Sequence, residues 1–394
     1  MRLTSPSPDV VVIGAGIVGA AVAHELARAG HRVLVLERNV ANREGSGTTA
    51  GNLHIQAIHP SRPGQPVPAD IRRFLPLQLA SSALWESLEE ELDGSIELRR
   101  EGGFMVAETP AQVNELRRKN EMELELGLHT ELLTGDEARK QLPLLSRKIL
   151  AANWCPLDGY ANPLLITPRY LAAARRYGAT VLSGQAVTAI ARVEGGYRVG
   201  TAQDSWVSPW VIDAAGPWMS PVAALAGISL EMAPVAIQMH VTTRTDPIMR
   251  YLVQHVSEGL SVKQVQAGNF LIGGGWPAGP FNTSGRSTTN TASLIGNLKQ
   301  ASRLLPLLEE LQLLRVWAGP LAATPDEMPV IGAPTAHPGF VIVGGTYAFT
   351  LAPLWAQVTR SIVENRPPSL PIADLNPDRL ITTDERKQCN SWTN

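Results

Sequence analysis

The sequence predicts an α/β fold in which a Rossmann-like, dinucleotide-binding domain is interleaved with a second domain on a mixed, largely antiparallel sheet. Three observations predict it. An apolar strand, Val10–Ile13, runs into Gly14-Ala15-Gly16-Ile17-Val18-Gly19 and then a small-residue helix reaching Gly30. A second apolar strand, Arg32–Leu36, ends in Glu37. Far downstream two more apolar strands, Trp210–Gly216 and Gly339–Gly345, stop at glycine, while the strand-rich stretch Ala233–Gly275 between them suggests a separate sheet.

Each part of the opening unit has a mechanical reason. Gly14 permits the tight turn, Gly16 lets backbone approach a pyrophosphate, and Gly19 lets helix pack on strand. The helix N-terminus offers free N–H groups and the positive end of its dipole to that pyrophosphate. Glu37 is placed to accept hydrogen bonds from a ribose hydroxyl, and its charge disfavours a 2′-phosphate despite the neighbouring Arg38. The unit alone fits NAD as well as FAD.

At 394 residues, the chain is long enough for two intimately packed domains. Its 44% hydrophobic and 18% charged content are those of a soluble globular protein. A net charge of −2, with no basic stripe, argues against nucleic acid as a partner. The weakly charged run Trp210–Leu230 is broken by Gly216, Pro217, Pro221 and Gly227, so it predicts strand, turn and helix rather than a membrane span. Met1–Pro8 contains no signal-peptide core. The two cysteines, Cys155 and Cys389, form no metal-ligand pattern and suit a reducing cytoplasm. Electrons collected here would leave through a flavin, oxygen or another protein.

Other elements follow in order. A polar, glycine-rich loop spans Gly45–Asn52, then a proline-studded segment, Pro60–Pro68. Helical spacing of Leu75, Leu79, Leu84 and Leu88 predicts a helix over 71–92, ended by Asp93-Gly94. Glu97–Ala107 alternates like strands around Gly102-Gly103, and Pro110–Gly127 reads as a charged helix. Helices are expected at 165–177, 291–305 and 351–365, a strand at 178–182, and a hairpin from Tyr197–Thr201 and Ser205–Ala214. A frayed polar tail closes the chain from Asp384 to Asn394.

Together Gly14–Gly19 with Glu37-Arg38, Gly45–Leu53, Val211–Trp218, Trp317–Gly332 and Gly344-Gly345 resemble the D-amino acid oxidase and glycine oxidase superfamily of FAD-dependent enzymes. Ser46–Gln56, Leu260–Gln264 and Gly268–Ala278 are similar to the flavin subunits of hydrogen cyanide synthase and of opine or D-hydroxyproline dehydrogenases. The resemblance implies FAD, two-electron oxidation of a CH–NH bond in an amino-acid-like compound, and partner subunits carrying iron–sulfur or further flavin centres. It implies Ile17 and Val18 against the pyrophosphate, and Glu37 and Arg38 at the adenosine. It further implies Val187 at adenine, and Ser46, Gly47, Gly51, Asn52 and Leu53 along the ribityl chain and ring edge. Gly216, Gly345, Thr346, Thr350 and Leu351 complete the expected cofactor set. The expected partition assigns 1–80, 145–225 and 319–372 to the FAD domain, 81–144 and 226–318 to the substrate domain, and 373–394 to a tail. The expected location is the cytoplasm, with room for peripheral attachment to the inner face of the membrane.

Two departures bear on the substrate. Relatives carry an arginine that grips the substrate carboxylate where this chain has Leu321. The loop Gly345–Thr350 is aromatic where relatives often have glycine and histidine. Both point to a larger secondary amine rather than glycine.

Amine oxidation needs little acid–base machinery beyond orientation and electrostatic support. His54, just after the flavin-lining loop, is the first candidate for a polar group near the ring or amine. Lys263, between Val262 and Gln264, either snorkels to solvent or points at the flavin. His240, on the same strand face as Gln238, is a candidate for the substrate cavity. Trp276, Trp317 and Tyr347 are candidates for an aromatic box, with Tyr347 also a catalytic candidate; Tyr251 and His255 are unranked. No metal site is expected. The leading expectation is the flavin subunit of a hetero-oligomeric dehydrogenase. The alternatives are a stand-alone, peroxide-forming oxidase and a non-catalytic flavin relay.

Overall fold

The computed structural model describes residues 7–57, 71–282 and 286–382; the segment 60–68, Cys389 and the tail 384–394 lie outside the described residues. A six-stranded sheet runs in the order Val330–Gly332, Phe340–Gly344, Trp210–Asp213, Val10–Ile13, Val33–Leu36, Thr180–Leu182. Its neighbours are parallel except at the edge strand Val330–Gly332. These strands read as unbroken apolar runs because both faces are covered. Val10, Val12, Val33 and Val35 face the helices Ile17–Arg28, Pro163–Arg176 and Ala348–Val363. The alternate residues Val11, Ile13, Leu34 and Leu36 pack under a three-stranded sheet and the helix Met219–Leu225.

A second sheet of eight strands runs Leu313–Ala323, Ala233–Arg244, Asn269–Gly273, Ser261–Gln264, Leu252–His255, Gly103–Ala107, Ala151–Cys155, Glu131–Thr134. Its pairings are antiparallel except between Leu252–His255 and Gly103–Ala107. One face is closed by Ala301, Leu304 and Leu308 against Phe104, Val253, Val262 and Phe270. The helix Pro110–Glu125 starts on a capping box of Thr109 and Gln112.

Several expectations need correction. The helix foreseen over 71–92 is two, Ile71–Leu84 and Leu88–Glu91. Between them Trp85 is fully buried and donates its indole N–H to the Thr350 carbonyl at 2.8 Å. Only Gly103–Ala107 of the stretch 97–107 is a strand, because Glu97 and Gly102 sit at φ 52° and 96°. Strand Ala151–Cys155 pairs within the eight-stranded sheet, so the boundary at 144 falls too early. The boundary at 318 cuts one continuous strand, Leu313–Ala323, paired throughout with Ala233–Arg244. Residues 373–382, assigned to the tail, pack on the body of the protein: Leu375 and Leu380 are buried, and Thr382 donates its N–H to the Ser229 carbonyl at 3.0 Å. Among the described residues no helix is long and apolar enough to cross a membrane.

Candidate active site

A cleft of about 1050 Å³ runs between the two sheets. Glu37, Arg38 and Val187 line one end; Gly14, Gly16, Ile17, Val18, Ser46 and Gly216 its middle; and Gly345, Thr346, Tyr347, Thr350, His54 and Trp276 the far end.

The first end is built by glycine geometry. A Cβ on Gly19 would lie 2.0 Å from the Gly14 carbonyl oxygen, and one on Gly14 2.7 Å from that of Ala214. These glycines are therefore compelled by backbone packing. Gly16 caps the helix and brings no side-chain cap of its own to its N-terminus. Ser46 accepts the Ile17 N–H at 2.9 Å, fixing the turn Gly45–Thr48 against the helix. Glu37 accepts the N–H groups of Ala15 and Asn39, both at 2.9 Å. Arg38 lies 3.7 Å over the Trp218 ring and pairs with Glu44 at 3.8 Å. The length of the cleft and these polar groups at its first end fit an elongated dinucleotide.

Gly19, Gly47, Gly51, Leu53 and Leu351 do not line the cleft. They stand behind its wall: Leu53 and Leu351 are buried, and a Cβ on Gly47 or Gly51 would strike the carbonyl of Asn42 or Ala161. The close approach that requires Gly51 is thus to protein backbone, not to a ligand.

At the far end Tyr347 sits at φ 57° and packs against Phe74 in a tilted pair, ring centroids 4.6 Å apart and planes at 44°. It meets His54 edge-on at 6.3 Å. Thr350 donates its hydroxyl to the Asn52 carbonyl at 3.4 Å and accepts the His54 N–H at 3.3 Å, tying the two ends of the chain together. Burial, with the nearby Lys263 ammonium, lowers the His54 pKa to about 4, so the ring is neutral at pH 7. Lys263 does not snorkel. It is buried, donates to the Ala50 carbonyl, and lies 4.3 Å over the Tyr160 ring, one layer behind the cleft wall. Its burial pushes its pKa well below the ordinary lysine value.

His240 does not line the cavity. On its strand Val235, Ile237 and Met239 face the cleft, so the two-residue period turns Gln238 and His240 the other way. There His240 is 3.0 Å from Gln238 Nε2, and Gln238 accepts the Asn290 N–H at 2.6 Å. Trp276 lines the cleft and donates to the Gly259 carbonyl at 2.6 Å. Trp317 instead donates to the Thr48 carbonyl at 2.8 Å, so no three-ring box forms. His255 lines the cleft, but its Nδ1 is occupied by the N–H groups of Ser257 and Glu258 at 3.3 and 2.9 Å.

Sequence reasoning missed a buried polar network beneath the far end. Asp158 accepts the N–H groups of Ile55 and Gln56 at 2.8 and 3.0 Å and the side-chain amides of Gln56 and Gln254 at 2.7 and 3.0 Å. Burial pushes its pKa up to about 6 against the pull of those donors. Gln56 in turn accepts from Lys119 at 2.9 Å, and Lys119 pairs with buried Glu123 at 2.6 Å. A glutamine inside the apolar strand Leu252–His255 was the one visible signal.

A glycine-turn Rossmann sheet opening onto a long cleft, closed at its far end by a second sheet, defines a two-domain flavoprotein oxidoreductase. The chain belongs to the FAD-dependent oxidoreductase (DAO) family, whose model matches residues 9–362. It is an FAD-dependent enzyme acting on amines or amino acids. It is 26% identical over 377 residues to glycine oxidase of Geobacillus kaustophilus, covering 95% of this chain and 97% of the relative. It is 25% identical over 352 residues to a subunit of the opine oxidase of Rhizobium meliloti, covering 87% and 90%. Against human dimethylglycine dehydrogenase it is 26% identical over 400 residues, covering 94% of this chain but 44% of the relative. The crystal structure of L-proline dehydrogenase from P. horikoshii superposes with a TM-score of 0.85 at 26% identity, covering 97% and 98%. Among the described residues no cluster of His, Cys, Asp or Glu forms a metal site.

Proposed function

We propose that this chain oxidises the CH–NH bond of a D-amino acid, D-hydroxyproline or opine-like secondary amine to an imine, as the flavin subunit of a hetero-oligomeric dehydrogenase. The observation that carries the reading is the wall of the far end. Val235, Ile237, Met239, Leu260 and Leu321 line it, and no arginine or lysine does among the described residues there. The lining cations, Arg38 and Arg43, belong to the nucleotide end, beside Glu44. An aliphatic wall suits a substrate with an apolar body better than a small amino acid held by a bidentate guanidinium.

When bound, FAD supplies the two-electron acceptor. The amine gives up a hydride equivalent from its α-carbon and a proton from nitrogen, and water later hydrolyses the imine. Within the chain, Gly16 and Ser46 seat the cofactor, Glu37 holds its ribose, and Tyr347 and the aliphatic wall exclude water. Neutral His54 offers the amine a hydrogen-bond partner, and Lys263, behind Ala50, adds positive potential near the ring. Likeness to an opine oxidase subunit supports partner subunits, which would carry the iron–sulfur or further flavin centres, in a reducing cytoplasm. Likeness to glycine oxidase, with the buried Lys263, favours a stand-alone oxidase as the second reading. Assaying the purified chain with D-proline and opines separates them. Reduction of an artificial dye with little peroxide is expected; vigorous peroxide release without partners would overturn the dehydrogenase assignment.

A further inference from the structure

Arg379 lies on the C-terminal arm between two anchors. Asn376 donates its side-chain amide to the Ala333 carbonyl at 3.2 Å, and the Leu380 carbonyl accepts the Glu231 N–H at 2.8 Å. From this fixed stretch the guanidinium reaches into the body of the protein. Its Nε donates to Asp326 Oδ2 at 2.8 Å, and its Nη2 donates to the Met328 and Pro329 carbonyls at 3.2 and 2.8 Å. Its Nη1 turns back to the Leu375 carbonyl at 2.7 Å. The acceptors outside the arm all sit on one turn, Thr324–Pro329. Within that turn Asp326 Oδ1 accepts the Met328 N–H at 3.1 Å, and Thr324 donates its hydroxyl to the Met328 carbonyl at 2.7 Å.

The turn backs directly onto the far end of the cleft. A Cβ on Gly345 would lie 3.3 Å from Pro329 Cα and 3.6 Å from Thr324 Cγ2, and Val330, next in the chain, pairs with Gly344. Gly344, Gly345, Thr346 and Tyr347 line the cleft on the other side of this wall. Each layer holds a non-glycine residue in the left-handed region, Glu327 at φ 54° in the turn and Tyr347 at φ 57°. Such residues persist only where their surroundings fix them. For the turn, the arm supplies the fixing group.

We propose that Arg379 is a positioning residue for the flavin: by clamping the Thr324–Pro329 turn against Gly345, it holds the Gly345–Tyr347 wall in the shape that grips the cofactor. The C-terminal arm thereby belongs to the FAD site. The inference rests on the far end of the cleft receiving the flavin ring. The planar fork of a guanidinium suits the role, because it meets one carboxylate and two carbonyls at once, which a lysine ammonium does not.

The test is the rate of FAD release from the loaded protein, followed by the fluorescence of freed flavin after dilution. Amide hydrogen exchange over residues 345–350 of the apoprotein is the second reading. Arg379→Met should release FAD roughly tenfold faster and exchange faster over that segment, with Arg379→Lys between it and the wild type. Asp326→Ala should shift both readings the same way, and the double variant should be no worse than the worse single one. Arg139→Met controls for general loosening, since Arg139 bonds Asp136 and the Ser146 and Ile149 carbonyls near the edge of the eight-stranded sheet. It should leave FAD release unchanged. Wild-type release from Arg379→Met overturns the proposal, as does equal acceleration in Arg139→Met. Should Arg379→Met not fold, Arg379→Lys and Asp326→Ala decide by the same two readings. Neither reading needs turnover: if FAD release responds as stated but no amine reduces the flavin, the proposed function falls and the clamp stands.

Discussion

The Glu37 carboxylate bonds back to the turn it serves, accepting the Ala15 N–H at 2.9 Å across the mouth of the nucleotide site. Its other oxygen takes the Asn39 N–H, so one side chain braces both the glycine turn and the segment after the second strand. Glu37→Ala should therefore weaken FAD binding twice over, through the ribose contact and the turn. A charge-assisted hydrogen bond is worth on the order of 1.5–3 kcal/mol, or roughly a 10- to 100-fold rise in Kd. Titration of apoprotein by flavin fluorescence quenching reads it directly; wild-type affinity would remove Glu37 from the ribose.

Gly19→Ala should be harsher, because its methyl would sit 2.0 Å from the Gly14 carbonyl oxygen, a backbone atom that cannot swing aside. Overpacking of this kind costs roughly 1–3 kcal/mol. The variant should lose flavin and melt several degrees lower. Thermal denaturation with and without added FAD measures both losses.

Lys263→Met keeps the buried volume but removes the ammonium and leaves the Ala50 carbonyl without that donor. FAD should remain bound while flavin reduction or reoxidation slows by about tenfold or more, equivalent to ~1.4 kcal/mol of barrier. Stopped-flow traces that match the wild type would make Lys263 a packing residue.

Stability should fall as the pH drops below neutral. Burial holds the pKa values of His24, His54 and His255 near 4, against an ordinary 6.5. The unfolded chain therefore binds more protons between about pH 4 and 6.5, and stability rises with pH across that window. Asp158, pushed up to about 6 from 3.8, works in the opposite sense between those values. The three histidines should outweigh it. Urea midpoints from pH 4.5 to 7 should climb, with a shallower slope in His24→Gln; a flat profile contradicts the assignment.

The nucleotide half is legible in sequence because its signals are local. Glycine spacing, a small-residue helix and a strand ending in acid all fall between Val10 and Glu37. The substrate half is less so, because its sheet pairs residues far apart, as Gly103–Ala107 does with Leu252–His255. Period two correctly puts Gln238 and His240 on one face, yet cannot say which face meets the cleft. Lys263 stands out as a charge in an apolar strand, but its partner, Ala50, lies two hundred residues upstream in another sheet's loop. The Asp158 network is invisible for the same reason: Gln56 and Gln254 meet Asp158 only through the fold.

The central claim is that an amine reduces the bound flavin at the aliphatic end of the cleft. The most direct test is anaerobic mixing of the FAD-loaded chain with D-proline, D-hydroxyproline and opines while the visible absorbance of the oxidised flavin is followed. Bleaching by at least one secondary amine, with glycine slower, is the predicted result. A flavin that stays oxidised with every amine would contradict the account and leave the chain an electron relay.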